Sequence, residues 1–245
     1  LRVMPSFQFS LKRVSWVSFR KLFSLSGYLF FLNLTNLLSS KVDPIILSRF
    51  LGPASLALYN PGLTLSSRVR PLVLVLANQL YPVTTKFHTT GDDAQMKKVL
   101  FVGTRLTLCM GIGVFAILGV LSQSICRVWL EGTLGQEYQV AGYILLGWAL
   151  IDLFQAAAGS QWPVMIGKNK VRFVAYTQFP LSILNIFASV YLVNHTSLGV
   201  VAVIVPTVII GAVRRVITTC YVRSLLDLKW GDYLRHAYLR PVIVG

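Results

Sequence analysis

The chain has 245 residues, 55% of them hydrophobic and only 13% charged, with a mean hydropathy of +0.66 and a formal net charge of +15. An ordinary soluble domain carries about a quarter of its residues as charges, so these numbers place the chain in a membrane. The basic residues fall in short clusters between apolar runs with no basic face of interleaved aromatics, which excludes nucleic acid as a partner.

Residues 1–21 form a basic lead-in with five basic residues and no acid, and no small-residue cleavage site follows the first apolar run, so this segment reads as cytoplasmic rather than as a signal peptide. A helix needs about 20 mainly apolar residues to cross the hydrocarbon core. Six stretches qualify: roughly 22–50, 60–85, 98–126, 140–166, 172–193 and 198–222. The turns between them are short, so neighbouring helices are antiparallel. Residues 223–245 read as a cytoplasmic loop and the start of a further span. The expected fold is all-α, a polytopic transmembrane bundle of about six spans.

Orientation follows from lysine and arginine. Fifteen fall on the side of residues 1–21, and only Arg49 and Arg127 on the other. This asymmetry predicts a cytoplasmic amino end.

Eight charges remain within spans: Lys41, Asp43, Arg68, Arg70, Arg105, Asp152, Arg214 and Arg215. Each costs about 2.5–3.5 kcal/mol at mid-bilayer on insertion scales, so they are expected to point inward. At 100° per residue, five spans each show a polar seam. The first holds Asn33, Asn36, Ser40 and Asp43. Thr64, Ser67, Arg68, Pro71, Asn78 and Pro82 share a face of the second. The fourth carries Trp148, Asp152, Gln155, Gly159 and Pro163, the fifth Gln178, Ser182, Asn185 and Ser189, and the sixth Thr207, Gly211, Arg214, Thr218 and Tyr221.

Small and amide residues also glue helices together in membranes. The charged members of the seams favour a hydrated cavity instead. Lys41 and Arg70 lie off their seams in ideal geometry, with Pro44 and Pro71 as the means of reorienting them. Arg105, Arg214 and Arg215 have snorkelling open to them as an alternative. A surplus of cations in such a cavity suits an anion, above all a diphosphate, which arginine holds bidentately. Asp43 and Asp152 are candidates for carrying a coupling cation or proton, and Asn33, Asn36, Asn78, Gln155, Gln178, Asn185 and Arg214 for lining the cavity.

No clustered acid/base or metal site appears, so neither an enzyme nor a cofactor is expected. The three cysteines lack paired spacing and read as packing residues. His88 and His195 fall in loops and His236 follows the last span. Asp92 and Asp93 read as the acidic start of a helix.

The segment Lys41-Val-Asp-Pro-Ile-Ile-Leu-Ser-Arg-Phe-Leu-Gly-Pro-Ala-Ser-Leu-Ala-Leu-Tyr59 is followed by Tyr81-Pro82 and Gly91-Asp92-Asp93. It resembles polysaccharide (O-antigen type) flippases of the multidrug/oligosaccharidyl-lipid/polysaccharide exporter superfamily. GKNKVRF and NHTSLGVVAVIVPTVI look like later loop and span pairs of that family. The likeness runs from about residue 20 to the end and covers part of a carboxy-terminal half, so the chain reads as a partial transporter whose amino-terminal half is missing.

The resemblance implies a protein that flips a polyprenyl-diphosphate-linked oligosaccharide across the cytoplasmic membrane by alternating access, with Lys41, Arg68, Arg70 and Arg105 as the residues matching the family's cationic substrate contacts. It also implies polysaccharide polymerase machinery as a partner beside the bilayer and the lipid-linked substrate. The competing reading within the superfamily is a cation-coupled multidrug antiporter. That function favours a carboxylate-rich cavity, against the six basic and two acidic residues found within these spans.

Overall fold

The computed structural model describes residues 16–233, except for some side chains of α1 and those of Val171 and Asp232. The basic lead-in and the start of a further span therefore lie mostly outside the described residues. Helix α1 spans Trp16–Phe50, α2 Ser55–Asn78, α3 Leu80–Thr90, α4 Asp93–Gly111, α5 Ile117–Val120, α6 Ser122–Leu134, α7 Tyr138–Ala157, α8 Gln161–Gly167, α9 Val171–His195, α10 Val201–Leu225 and α11 Trp230–Tyr233. A π-helical turn, Ile112–Ala116, joins α4 to α5, and a 3₁₀ turn, Gly135–Glu137, joins α6 to α7. Among the described residues there are no strands. Among those residues four stretches are long and apolar enough to cross a membrane: Asp93–Val120, Ser122–Ala157, Arg172–His195 and Val201–Leu225. The fold is an all-α polytopic bundle.

Proline stands at two of the breaks between helices. Its ring clashes with the carbonyl four residues back and it donates no N–H. Pro82 stands four residues after Asn78, where α2 ends, and Pro163 four after Gly159, in the turn between α7 and α8. Pro44, Pro61, Pro71, Pro180 and Pro206 lie inside helices that continue.

Lipid offers nothing to a freed backbone group, so partners must come from protein. Side chains tie the α7/α8 break to α4: Thr107 Oγ1 donates to the Ala156 carbonyl at 2.8 Å and Ser160 Oγ to the Leu100 carbonyl of α4 at 2.9 Å. Close helix approach makes these bonds possible. A Cβ on Gly103 would stand 2.5 Å from Leu80 Cδ1 and 2.8 Å from Ser160 Cβ, and one on Gly159 2.9 Å from Thr107 Oγ1. The α2/α3 and α7/α8 breaks thus meet at one level against α4.

Helix α7 is central, packing on α2, α4, α6 and α10, while α9 lies between α1 and α10. One apolar cluster, including Met96, Leu100, Val164, Met165, Val174, Val222 and Tyr233, closes the end that carries the lysine-bearing turns. Another, with Ile46, Leu47, Tyr59, Ile144, Trp148, Val203 and Ile204, fills the opposite end. Polar side chains concentrate between them. At the lysine-bearing end Gly91 turns the chain with φ 70°, and Asp92 caps α4 by accepting from the Gln95 amide at 3.0 Å. Lys168 pairs with Asp93 at 2.7 Å, tying the α8 exit to the α4 start.

Candidate functional site: a cationic cavity at mid-bundle

A cavity of about 490 Å³ opens between α2, α3, α7, α8, α9 and α10. Its charged lining consists of Arg70, Arg214 and Arg215, and its polar lining includes Asn78, Gln155, Gln178, Asn185 and Thr207. Tyr81, Trp148 and Trp162 supply aromatic wall.

Asp152, on the central helix and 1% exposed, organises the cationic side. Arg70 Nε donates to its Oδ1 at 2.5 Å and Ser66 Oγ to its Oδ2 at 2.5 Å. The Arg70 guanidinium also lies over the Trp148 ring, 5.6 Å from its centroid. One turn further along α7, Gln155 accepts from Arg215 Nη2 at 3.1 Å. Arg214 Nη2 donates to Ser182 Oγ of α9 at 3.0 Å. Three guanidiniums from α2 and α10 therefore border one space, and the carboxylate bonded to Arg70 is buried behind them.

A second node lies toward the end with the 51–54 and 196–200 turns. Asp43 is 2% exposed and accepts from Tyr59 OH at 3.0 Å and Thr207 Oγ1 at 3.2 Å. Asn185 Nδ2 donates to the same Thr207 oxygen at 3.2 Å. Since Thr207 and Asn185 also line the cavity, the two nodes share a wall.

The sequence candidates divide accordingly. Arg70, Asn78, Gln155, Gln178, Asn185 and Arg214 line the cavity, and Asp152 and Asp43 are buried beside it. Lys41, Arg68 and Asn33 are exposed on α1 and α2, away from the cavity, and Arg105 is half-buried on α4, also outside it. The Asn36 side chain lies outside the described residues.

Helix α2 departs from its expected facing. Thr64, Ser67, Arg68, Pro71 and Asn78 are exposed, as is Pro82 beyond the break on α3, and of these only Asn78 reaches the cavity. The inward face carries Ser66, Arg70, Val73 and Ala77. Arg70 lies two positions, about 200°, round from Arg68, so it needs no proline distortion to point inward.

Sequence reasoning did not place Arg215, Tyr81 or Trp162 in the site. Arg215 was visible as a buried charge, but its neighbour Arg214 occupied the seam. The two rings flank the prolines that break the helices, and that adjacency was the available signal. Among the described residues no group of three His, Cys, Asp or Glu side chains is placed to hold a metal ion. Cys109 and Cys220 are exposed, and Cys126 is buried.

This architecture is that of a multi-pass membrane protein with a polar, cationic cavity inside a helical bundle. Residues 4–88 match the sequence pattern of the family described as polysaccharide biosynthesis protein. The chain is 23% identical to the probable low-salt glycan biosynthesis flippase Agl15 of Haloferax volcanii, over 90% of this chain and 46% of that protein. It is 20% identical to the uncharacterized membrane protein EpsK of Bacillus subtilis, over 99% of this chain and 46% of that protein. The chain thus spans about half the length of the curated relatives it matches. No solved structure matches it. At the level of family, the resemblance to polysaccharide flippases carried by the sequence motifs is borne out.

Proposed function

We propose that this chain is part of a transporter, not an enzyme, that flips a polyprenyl-diphosphate-linked oligosaccharide across the cytoplasmic membrane for cell-surface polysaccharide synthesis. The observation that carries this reading is the convergence of Arg70, Arg214 and Arg215 on one cavity between apolar ends, in a chain similar to a protein named as a probable glycan flippase. Guanidinium groups bind phosphate oxygens in pairs, and such charge-assisted bonds are roughly twice as strong as neutral ones. A cationic drug would meet repulsion in the same place, which disfavours the multidrug antiporter.

Transport then proceeds by capture of the diphosphate, occlusion between the two apolar ends, and release at the far leaflet. The paired breaks at Gln79 and Ala158–Ser160 supply flexible points, as interrupted helices do in transporters. Asp43 has hydroxyl partners but, among the described residues, no salt bridge, and we assign it, with Asp152, to the coupling cation or proton. Lys41 and Arg68 are exposed where hydrocarbon would not accept them. We assign them, with Arg105, to substrate contacts outside this cavity, on surfaces that the rest of the transporter covers. The basic turns, with residues 1–21, face the cytoplasm, and polysaccharide polymerase machinery receives the product.

The test is complementation. In a strain lacking its glycan flippase, lipid-linked oligosaccharide accumulates on the cytoplasmic leaflet. The full-length protein clears it, and an Arg70→Gln variant expressed to the same level does not. Full clearance by that variant would remove the cavity from the transport path.

A further inference from the structure

The chain does not leave the bundle where α10 ends. Leu228 N donates to the Arg223 carbonyl at 3.1 Å and Asp227 N to the Ser224 carbonyl at 3.3 Å, the pair of bonds that closes a helix through a left-handed residue. Asp227 takes that conformation, with φ 48°. The reversal carries residues 226–233 back under the lysine-bearing end as a strap. On its exposed side the Arg223 guanidinium lies 4.7 Å from the centre of the Trp230 ring and ties the strap to α10. Trp230 and Gly231 are exposed, whereas Tyr233 is fully buried, its ring 6.1 Å from that of Phe101 on α4.

The Tyr233 hydroxyl reaches the helix that borders the cavity. It accepts from Gln161 Nε2 at 2.9 Å, and the same nitrogen donates to Thr219 Oγ1 of α10 at 2.8 Å. Gln161 is the first residue of α8, just past the break at Ala158–Ser160, and Trp162 beside it is part of the cavity wall. With 7 residues, α8 is too short to be stable by its own hydrogen bonds, so its contacts set its position. Val164 and Met165 of α8 share an apolar cluster with Leu226 and Tyr233 of the strap.

This hold is incomplete. Gln161 Oε1 is buried and, among the described residues, has no hydrogen-bond partner. An unpaired buried acceptor offsets part of what the two donated bonds contribute. A modest change of contacts is therefore enough to vacate the position.

We propose that residues 226–233 form a latch: through Gln161, the Tyr233 hydroxyl holds α8 where it closes the cavity toward the lysine-bearing end, and withdrawal of the strap lets α8 swing at Ala158–Ser160. Tyr233 is a positioning residue, acting on the cavity wall from outside it. The inference rests on the transporter reading above, which places that end in the cytoplasm, and adds to it the element that controls access from there. A tyrosine that only filled the core would act through its ring, whereas a latch depends on the hydroxyl.

The test uses the full-length protein with all native cysteines replaced and Gln178→Cys placed in the cavity wall. Membrane vesicles of either orientation are treated, without substrate, with an impermeant anionic thiol reagent. Tyr233→Phe keeps the ring against Phe101 and removes the hydroxyl. One neutral hydrogen bond shifts an equilibrium by about two- to ten-fold. In inside-out vesicles the thiol is expected to react faster by that factor, and in right-side-out vesicles no faster. Should that variant fail to fold, Thr219→Val removes the other acceptor of Gln161 and is expected to act in the same direction. An unchanged or slower rate in inside-out vesicles, or an equal rise from both sides, overturns the latch. Because no substrate takes part, that result leaves the flippase reading to the complementation test, whose failure is read separately.

Discussion

Removing the negative charge at Asp152 while keeping its shape should destabilise the bundle by about 3 kcal/mol. The carboxylate is fully buried and accepts from Arg70 and Ser66, whereas the Arg70 side chain is 28% exposed. Breaking a buried pair by removing one partner costs about 3–5 kcal/mol, because a charge is left in low dielectric without compensation. Arg70 borders the cavity and retains access to water there, so the lower end of that range applies. Asp152→Asn should cost about this much and Arg70→Met, which strands the fully buried carboxylate, about 5 kcal/mol, while the double variant, with no charge stranded, should lie within about 1 kcal/mol of the original. Reversible unfolding in detergent, followed by tryptophan fluorescence, reads all four corners of the cycle, with Trp148 beside the pair as a local reporter. A coupling below about 0.5 kcal/mol, the value of an exposed surface pair, would refute the claim that Asp152 is a buried organising charge.

Gly111→Ala brings a new methyl group into collision with the Ala156 methyl, and overpacking of this kind costs about 1–3 kcal/mol. Adding Ala156→Gly should restore most of the lost thermal stability, and an unrestored double variant would mean that α4 and α7 are not so close. In intact cells, a cysteine replacing Ala54 should react with an impermeant thiol reagent, and one replacing Thr90 only after permeabilisation. Both positions are exposed at opposite ends of α2–α3, so the reverse pattern would invert the orientation.

Much of this architecture was legible because membranes impose coarse rules. The apolar runs predicted at 172–193 and 198–222 appear as α9 and α10 with shifts of a few residues, since a helix must satisfy its own backbone in lipid. The seams of α7, α9 and α10 also meet at the cavity through Gln155, Gln178, Asn185 and Arg214. Helix α2 was harder to read. Periodicity groups residues by face, but it does not say which face turns inward. On α2 the more polar face, with Thr64, Ser67 and Arg68, is exposed, and the inward face carries a single charge, Arg70. Pairing across 82 positions with Asp152 decides that facing, and no local pattern records it. The break within the run predicted at 140–166 was likewise hidden by continuous hydropathy. Pro163 and the small residues before it mark that break only once the clash with the Gly159 carbonyl is considered.

The central claim is that a wet, positively charged space lies within this apolar bundle. In a protein whose three native cysteines are replaced, Gln178→Cys places a thiol in the cavity wall. Its reaction rates with an anionic and a cationic methanethiosulfonate reagent of similar size test water and charge together. The account predicts that the anionic reagent reacts at least ten-fold faster and that added pyrophosphate slows it. No reaction with either reagent, or a faster reaction with the cationic one, would contradict it.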